Sequence, residues 1–438
     1  MVTAAHGLVD LAAFRAELDR SRGVVAGDPP GHVLLVIGMD RFRLVKDTFG
    51  DAAGEDLLVE LADRVRRSLT GGGVVTRLGR EEFAVLLPAT TVGQAVAVAE
   101  ELLAAIRQPC PVRGSQVFVS ASIGVAVVEW TGPQVSDPLC HAEVAMHHAQ
   151  RGGGDRPAVF EPAMRAERMA RLTLETELHQ AIRRHEFMVY YQPVMSVATR
   201  QVRGFEALVR WRHPVRGVVP PGEFIPVAEE TGMIVPIGRV VLAEACRQLG
   251  RWREEFRADP PLTMSVNLSA RQLRHPELID EVRSALAAGG VAAELLILEI
   301  TETSLHEDVA DSMARLRELK AIGVQLAIDD FGTGYSSLSF LQQFPVDIIK
   351  IDRSFVAGMT AGPQAAAFAR AIVGLGRTLN LHTVAEGVET AEQLAGVRLA
   401  GGEFAQGFHF ARPLSEADAE GYLRSAFGFD QRGGELAG

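Results

Sequence analysis

The chain has 438 residues, of which 47% are apolar and 23% are charged, and its formal net charge is −11. This composition is typical of soluble globular proteins, and the length favours two or three domains. The acidic balance argues against duplex nucleic acid as a partner, because binding a duplex requires a basic face.

The three cysteines, Cys110, Cys140 and Cys246, show no paired spacing. Such a pattern is typical of reduced thiols in a cytoplasmic protein. The first residues contain no basic segment followed by an apolar run, so no signal peptide is expected. The apolar run 33–37 is too short to span a bilayer. We therefore expect a cytoplasmic protein without a membrane segment.

Residues 1–161 alternate between strand-like and helix-like segments, which predicts an α/β domain. Asp10 is placed to cap a helix over 11–18. Further helices are predicted over 54–67, 94–107 and 141–150. Strands are predicted over 33–37, 74–77, 83–87 and 117–128, and the second and third of these flank a turn at Gly79. The glycine run 152–154 predicts a helix end and turn, because no strand precedes it.

A charged helix over 162–184 is predicted to connect this domain to a second one. Over 185–428, short apolar runs alternate with helical stretches, which predicts a (β/α)₈ barrel of the TIM type. The first two runs are separated by only about ten residues, so they are predicted to form an antiparallel hairpin. The strands are expected at 188–193, 204–209, 262–268, 295–300, 324–330, 346–351, 382–385 and 403–408. A flexible tail is expected at 429–438.

Polar side chains lie within or just after almost every predicted barrel strand. They are Glu206, Asn267, Glu299, Asp329, Asp330, Lys350, Glu386 and Gln406, with Glu389 just beyond. Barrel active sites are built from the ends of several strands, and an unpaired charge is costly to bury, so these residues predict one shared site.

The types of these side chains indicate a metal site. Oxygen ligands without cysteine suit Mg²⁺ or Mn²⁺ better than zinc. The adjacent Asp329 and Asp330 can serve two ions, a pair that suits phosphoryl displacement. Lys350 can hold a water molecule or offset phosphoryl charge. Gly332 and Gly334, just beyond the two aspartates, are equally consistent with a mobile loop and with an ordinary turn.

The segment 206–211, Glu-Ala-Leu-Val-Arg-Trp, resembles the signature of the EAL phosphodiesterases. The similarity extends in family order over about 230 residues. The further matching segments are 191–193, 267–269, 299–302, 329–334, 350–352, 385–389, 406–408 and 412–413. The resemblance implies a barrel with one antiparallel strand that opens cyclic di-GMP to linear pGpG, and it implies a homodimer.

The resemblance also implies a role for each matching residue. The first metal would be held by Glu206, Asn267, Glu299 and Asp329, and the second by Asp329, Asp330 and Glu386 with help from Glu389. Lys350 would position the nucleophilic water, and Gln406 would lie beside it. The catalytic residues would be Lys350, Glu386 and Glu206. Arg210 would meet a phosphate, Gln192 a guanine, and Asp352 the substrate. Glu302 would brace the glycine loop, and Phe408 stands where the family often has tyrosine.

The segment 77–83, Arg-Leu-Gly-Arg-Glu-Glu-Phe, resembles a damaged GGDEF signature of diguanylate cyclases, within a frame that begins at Gly7. Arg80 replaces the second glycine of this signature and Gly38 replaces a metal aspartate. Further departures from the family pattern fall at Lys46, Glu55, Gln150 and Gly154, and in the inhibitory site at Thr70 and Gly73. We predict no cyclase activity. A structural or dimerising role is favoured over regulation of the barrel by a nucleotide or protein.

Three other functions compete with an active phosphodiesterase. A cyclic di-GMP receptor that binds without cutting would be expected to have lost metal ligands or the lysine. A bifunctional enzyme would need the cyclase residues missing at Gly38, Lys46 and Arg80. A structural scaffold would leave the carboxylates at the strand ends unexplained.

Overall fold

The computed structural model describes residues 8–21, 31–69, 72–79, 81–128, 137–305, 309–332 and 343–428. The chain divides into two compact units, Met1–Leu172 and Thr173–Gly438. Gly7, Thr70, Arg80, Gly334 and the tail 429–438, all named in sequence-based predictions, lie outside the described residues. No helix in the described part of the chain is long and apolar enough to cross a bilayer.

The first unit is built on a five-stranded sheet with the order β2-β3-β1-β6-β7. The strands of this unit are β1 His32–Met39, β2 Val74–Arg77, β3 Glu82–Leu87, β4 Cys110–Val112, β5 Ser115–Val117, β6 Ala121–Val128 and β7 Pro157–Val159. The central strand β1 pairs antiparallel with β3 and β6 and is almost entirely buried. The predicted hairpin of β2 and β3 is confirmed.

One predicted strand, 117–128, is wrong as a single element. The chain instead forms the short ribbon β4–β5 and then begins β6 at Ala121. Arg113 and Gly114 have φ values of 48° and 85°. Two consecutive positive φ values produce the tight turn that suits a two-residue hairpin. The strand-like composition at 117 therefore belongs to a separate ribbon.

The helices of the first unit cover both faces of this sheet's strands with apolar side chains. They are α1 Leu11–Ser21, α2 Phe42–Phe49, α3 Asp51–Ser68, α4 Val92–Ile106 and α5 Pro138–Arg151, and the following helix α6 Pro162–Arg183 packs Met164 against α5. Asp10 Oδ1 accepts a hydrogen bond of 2.7 Å from Ala13 N and so caps α1 as predicted. The boundary between the two compact units falls within α6, whose second half contributes Leu178 and Ala181 to the barrel core.

The second unit is a closed barrel, as predicted. Its strands are β8 Phe187–Ser196, β9 Val202–His213, β11 Thr263–Asn267, β12 Leu296–Thr301, β13 Gln325–Phe331, β14 Ile348–Ile351, β15 His382–Ala385 and β16 Phe404–Gln406, with β10 Gly217–Val219 extending β9 outside the barrel. Strand β9 and the strands β11 to β16 run parallel around the barrel, β8 closes it by pairing antiparallel with both β9 and β16, and β10 pairs antiparallel with β9.

Helices surround these strands. They are α7 Pro221–Thr231, α8 Ile234–Glu255, α9 Ala270–Leu273, α10 Leu278–Gly289, α11 Val309–Ile322, α12 Arg353–Ala361, α13 Pro363–Thr378, α14 Ala391–Ala400 and α15 Glu416–Ala426. Trp252 of α8 is fully buried against Tyr191 and Phe205, with ring centroids 4.9 and 4.7 Å away. This aromatic contact fixes α8 against the β8–β9 hairpin, which carries Glu206.

The first turn of α14 is stabilised by a capping box. Gln393 N donates to Thr390 Oγ1 at 3.2 Å, and Thr390 N donates to Gln393 Oε1 at 3.0 Å. We expect Thr390→Ala to lower the free energy of unfolding by about 1 kcal/mol, because helix amides lose their acceptor. Thr378→Ala is the control, since the Thr378 hydroxyl donates to the Gly374 carbonyl in the last turn of α13 and caps no helix start. Equal denaturation midpoints for both variants would contradict the prediction.

Candidate active site

The carboxyl ends of the barrel strands surround an acidic cavity of about 590 Å³. The register of the sheet places Glu206 beside Gln192, Asn267 beside Glu299, and Asp329 beside Thr301 on neighbouring strands. The cavity is lined by Gln192, Glu206, Asp329, Asp330, Asp352, Arg353, Glu386, Gly387, Glu389, Gln406, Gly407 and Phe408. Residues of the four strands β8, β9, β13 and β16, and residues that directly follow β14 and β15, therefore meet at one mouth.

Lys350 lies at the centre of the carboxylates. Its Nζ is 2.6 Å from Glu299 Oε2, 2.6 Å from Glu386 Oε1, and 3.4 Å from both Glu206 Oε2 and Asp329 Oδ1. The lysine side chain is only 2% exposed. Four carboxylates thus share one ammonium group in a nearly dry environment, which leaves an excess of negative charge that a cation would neutralise.

The surroundings shift the pKa values of Glu386 and Glu206 in opposite directions. Burial raises the pKa of Glu386 to about 8, against the opposing charge of Lys350. Burial also acts on Glu206, but the Lys350 charge and hydrogen bonds from Gln406 and Asn267 outweigh it and hold the pKa of Glu206 below its ordinary value. The surroundings therefore favour the anionic form of Glu206, whereas burial favours the protonated form of Glu386 at neutral pH in the absence of a metal.

Two side-chain amides hold Glu206 in place, and a third contacts one of these two. Asn267 Nδ2 donates to Glu206 Oε1 and Gln406 Nε2 donates to Glu206 Oε2, both at 2.6 Å. Gln406 Nε2 also donates to Gln192 Oε1 at 3.0 Å, and Gln192 Nε2 donates to the Ala411 carbonyl at 3.1 Å. Gln406 Oε1 is buried without a partner among the described residues. A buried acceptor that lacks a donor is the kind of atom that a cation or a water molecule satisfies.

Asp329 and Asp330 both face the cavity although they are adjacent in a strand. The pairing of β13 with β14 contains a register shift between Ile328 and Phe331, and Asp330 has a φ of 52°. This irregularity breaks the usual alternation of side chains, so both carboxylates can point to the same side. One carboxylate oxygen from each of Asp329, Asp330 and Glu386 lies within 4.8 Å of the others, a spacing that fits a single metal ion.

Two further predicted residues contact the rim of the site. Glu302, which is 2% exposed, accepts a hydrogen bond of 3.3 Å from Gly332 N through its Oε2. Asp352 lines the cavity and its Oδ1 also accepts from Ser354 N at 2.9 Å, which caps α12. The segment 333–342 that follows Gly332 lies outside the described residues.

Arg210 and Glu389 differ from the other predicted residues in their position. Arg210 is not among the residues that line the acidic cavity; its guanidinium lies 5.5 Å from the centre of the Tyr190 ring and donates to the Val209 carbonyl. Glu389 lines the cavity from an exposed position just before α14.

Sequence reasoning did not single out Arg353, Gly387 and Gly407, which also line the cavity. A Cβ at Gly387, whose φ is 63°, would come within 2.4 Å of Arg353 Cβ. A Cβ at Gly407 would come within 2.2 Å of the Val388 carbonyl oxygen. Each glycine directly follows a predicted site residue in the sequence. A glycine at such a position indicates that another part of the chain approaches its backbone closely, and this signal could have identified both residues.

The first unit has no matching arrangement at the described positions of its damaged signature. A Cβ at Gly38 would come within 2.5 Å of Met146 Sδ, so an apolar side chain fills the space beside the first strand. Asp40 instead accepts from Ser120 Oγ, Ser122 Oγ and Asp155 N at 2.8–3.0 Å. The Asp40 carboxylate is therefore bonded by hydrogen-bond donors that belong to the first unit.

Fold and site together define a TIM-type barrel whose strand ends carry a buried acidic cluster around one lysine. An EAL domain model matches residues 175–413, more than half of the chain, and a model described as diguanylate cyclase, GGDEF domain, matches residues 7–156. The chain therefore belongs to the EAL domain family and carries a GGDEF domain before its EAL domain. The resemblance to both families is confirmed; the loss of cyclase function stays a prediction.

Curated relatives share both halves of the chain. The Pseudomonas aeruginosa protein named bifunctional diguanylate cyclase/cyclic di-GMP phosphodiesterase MucR is 41% identical over 381 residues, which are 87% of this chain and 55% of the relative. The Escherichia coli K12 cyclic di-GMP phosphodiesterase PdeR is 35% identical over 381 residues, 87% of this chain and 57% of the relative. The chain thus spans little more than half the length of these relatives.

A solved structure matches the barrel. It is described as the PaMucR phosphodiesterase in a c-di-GMP complex, is 43% identical, and has a TM-score of 0.54. The match covers 56% of this chain and 99% of that one. The barrel fold expected from the alternation of strands and helices is therefore shared with a protein whose structure holds cyclic di-GMP.

Proposed function

We propose that the barrel hydrolyses cyclic di-GMP to linear pGpG with the help of two Mg²⁺ or Mn²⁺ ions. The observation that carries the proposal is the convergence of four carboxylates on Lys350 at the mouth of an EAL-family barrel. The relatives named for cyclic di-GMP hydrolysis support the choice of substrate. The anionic cluster by itself would repel a phosphodiester, so the proposal requires cations to reverse its charge.

The residues present fit two cations. Glu206, Asn267, Glu299 and Asp329 would hold the first, and Asp329, Asp330 and Glu386 would hold the second, with Glu389 at the rim. Support comes from the close approach of the last three carboxylates and from the unpartnered Gln406 Oε1. Bound divalent cations would supply charge neutralisation and a lowered pKa for water at the site.

The chain's own groups would then bind and orient the reactants. In the reaction, a water oxygen attacks one phosphorus, one P–O ester bond breaks, and the released sugar oxygen takes up a proton. Lys350 is placed to hold the water and to offset phosphoryl charge. Gln406 and Gln192 keep Glu206 in a fixed orientation, and Asp352 and Arg353 line the cavity where the nucleotide would lie.

Turnover by the purified chain tests the proposal. We expect conversion of cyclic di-GMP to pGpG with Mg²⁺ or Mn²⁺, complete loss of turnover after treatment with EDTA, and recovery when either metal is restored, because the carboxylate ligands act only through bound cations. Chromatographic analysis of the product provides the measurement. Binding of cyclic di-GMP without cleavage under these conditions would show a receptor and overturn the proposal.

We further propose that the GGDEF domain makes no cyclic di-GMP, although the relative MucR is named as bifunctional. The support is physical: Met146 fills the space beside Gly38, and Lys46 Nζ pairs with Asp51 at 2.7 Å. A side chain at Gly154, whose φ is 73°, would also crowd Asp40. A structural or dimerising role, or regulation of the barrel, remains for this domain.

Incubation with GTP and Mg²⁺ tests this second proposal. We expect no cyclic di-GMP from the wild-type GGDEF domain when turnover by the barrel is blocked with Glu206→Ala. Adding Gly38→Asp should not create activity, because a carboxylate there would have to displace Met146. Product analysis by chromatography is the measurement, and a cyclic product from either protein would overturn the assignment.

A further inference from the structure

A second cavity extends inside the barrel from the end opposite to the acidic mouth as far as Lys350 and Gln406. Its volume is about 80 Å³. Thr263, Gln325 and His382 line it, and each is the first residue of its strand, which places the cavity at the amino ends of the strands. Such a volume holds several water molecules or one small ion.

Arg203, near the start of β9, supplies a positive charge to this cavity. Its Nη1 is buried and has no hydrogen-bond partner among the described residues. Burial lowers the pKa of Arg203, and no carboxylate in the described part of the chain counters that effect. The guanidinium stays charged in proteins, so it lies in the cavity as a cation without an anionic partner there.

Apart from Arg203, the titratable residues that line the cavity are Glu299 and Lys350, which pair with each other, and His382, which contacts Glu403. Ile297, Ile348 and Val384 form an apolar layer across the interior of the barrel. Above this layer, Glu299 also reaches the cavity, but Lys350 Nζ lies 2.6 Å from its carboxylate. A negative ligand beside Arg203 would therefore meet one uncompensated cation in a medium of low polarity, where a charge-assisted hydrogen bond is strong.

We propose that this cavity binds a small oxyanion of the size of phosphate, held by Arg203 at the amino-terminal mouth of the barrel. The planar guanidinium donates two parallel hydrogen bonds to such an oxyanion. The Ser265 hydroxyl, which faces the same cavity, is a further donor. Gln406 lines both this cavity and the acidic one, but Arg203 lies at the amino ends of the strands, and phosphate binding there does not depend on the proposed hydrolysis.

Inorganic phosphate is the probe. The full chain is titrated with phosphate at constant ionic strength in EDTA, and binding is followed by calorimetry and by the thermal midpoint. EDTA removes any divalent cation through which phosphate could bind at the acidic mouth. We expect the midpoint to rise with phosphate, sulfate to compete with it, and chloride to have no comparable effect, since chloride cannot accept two parallel hydrogen bonds.

Substitutions at Arg203 decide the outcome. Arg203→Lys keeps a charge but loses the planar donor pair, so the Kd for phosphate should rise at least ~10-fold. Arg203→Met should abolish the response, and the exposed Arg257→Gln should leave it unchanged. An unchanged phosphate response in Arg203→Lys, or the absence of a response in the wild type, would overturn the proposal. If Arg203→Met does not fold, the comparison of Arg203→Lys with Arg257→Gln still decides it.

Discussion

Glu206→Ala is expected to lower kcat/KM for cyclic di-GMP by at least ~10³-fold, which corresponds to about 4 kcal/mol of transition-state stabilisation. Two amide donors and Lys350 contact Glu206 and hold the pKa of its carboxyl below the ordinary value. Its removal would take away a ligand of the first cation and leave the amides of Asn267 and Gln406 without their acceptor. Steady-state kinetics at saturating Mn²⁺ is the measurement.

The matched control for this substitution is Glu254→Gln, which changes an exposed glutamate on α8. Its kinetic constants should equal those of the wild type. Circular dichroism should show that Glu206→Ala retains the barrel, because the lost group lies at the mouth and outside the aromatic core around Trp252. A folded Glu206→Ala protein with undiminished turnover would refute the assignment of the site.

Lys350→Met is expected to be unstable without metal and to regain stability when Mg²⁺ or Mn²⁺ is added. The substitution leaves four carboxylates without the cation that now lies among them. Breaking a buried ion pair in this way costs about 3–5 kcal/mol, part of which the carboxylates recover by taking up protons. Divalent cations should replace the lost charge, whereas turnover should remain at least ~10²-fold reduced, because the group that holds the water is gone.

The pH dependence of the free energy of unfolding provides a second test of the role of Lys350. In the metal-free wild type, burial raises the pKa of Glu386 to about 8. Between roughly pH 5 and pH 8 the native state therefore holds a proton that the unfolded chain has lost, and the free energy of unfolding falls as pH rises. Lys350 opposes that shift, so Lys350→Met should show a steeper fall.

Denaturant unfolding in EDTA from pH 5 to pH 8 measures this dependence. Lys320→Met is the control, because Lys320 forms a half-exposed pair with Asp347 at 2.8 Å that is worth no more than about 1 kcal/mol. If Lys350→Met were as stable as the wild type at pH 8 without metal, the role assigned to the lysine would be wrong.

Much of the barrel could be predicted because few folds other than a barrel place a charged residue near the end of each short apolar strand. The hairpin of β8 and β9 followed from a connection too short for a helix, and the pairing of Tyr191 with Ala207 and of Gln192 with Glu206 agrees with it. Glu206, Asp329 and Glu386 were predicted to share one site because the carboxyl ends of parallel strands meet at one rim.

Local backbone geometry limits what the sequence could reveal about the site. Alternation along a strand predicts that Asp329 and Asp330 point to opposite faces, and only the register shift and the positive φ at Asp330 bring both to the cavity. Similarly, the sequence alone did not reveal that the amide of Gln192, which the family resemblance predicts to meet a guanine, bonds Gln406 and the Ala411 carbonyl. Such contacts depend on residues more than 200 positions apart in the chain.

The central claim is that oxygen ligands from separate strands hold a pair of divalent cations. Anomalous diffraction from crystals grown with Mn²⁺ tests it most directly. We expect two separate peaks at the mouth of the barrel, one beside Glu206, Asn267 and Glu299 and the other beside Asp330 and Glu386, with Asp329 between them. A single peak, or manganese bound elsewhere with Lys350 still among the carboxylates, would contradict the claim.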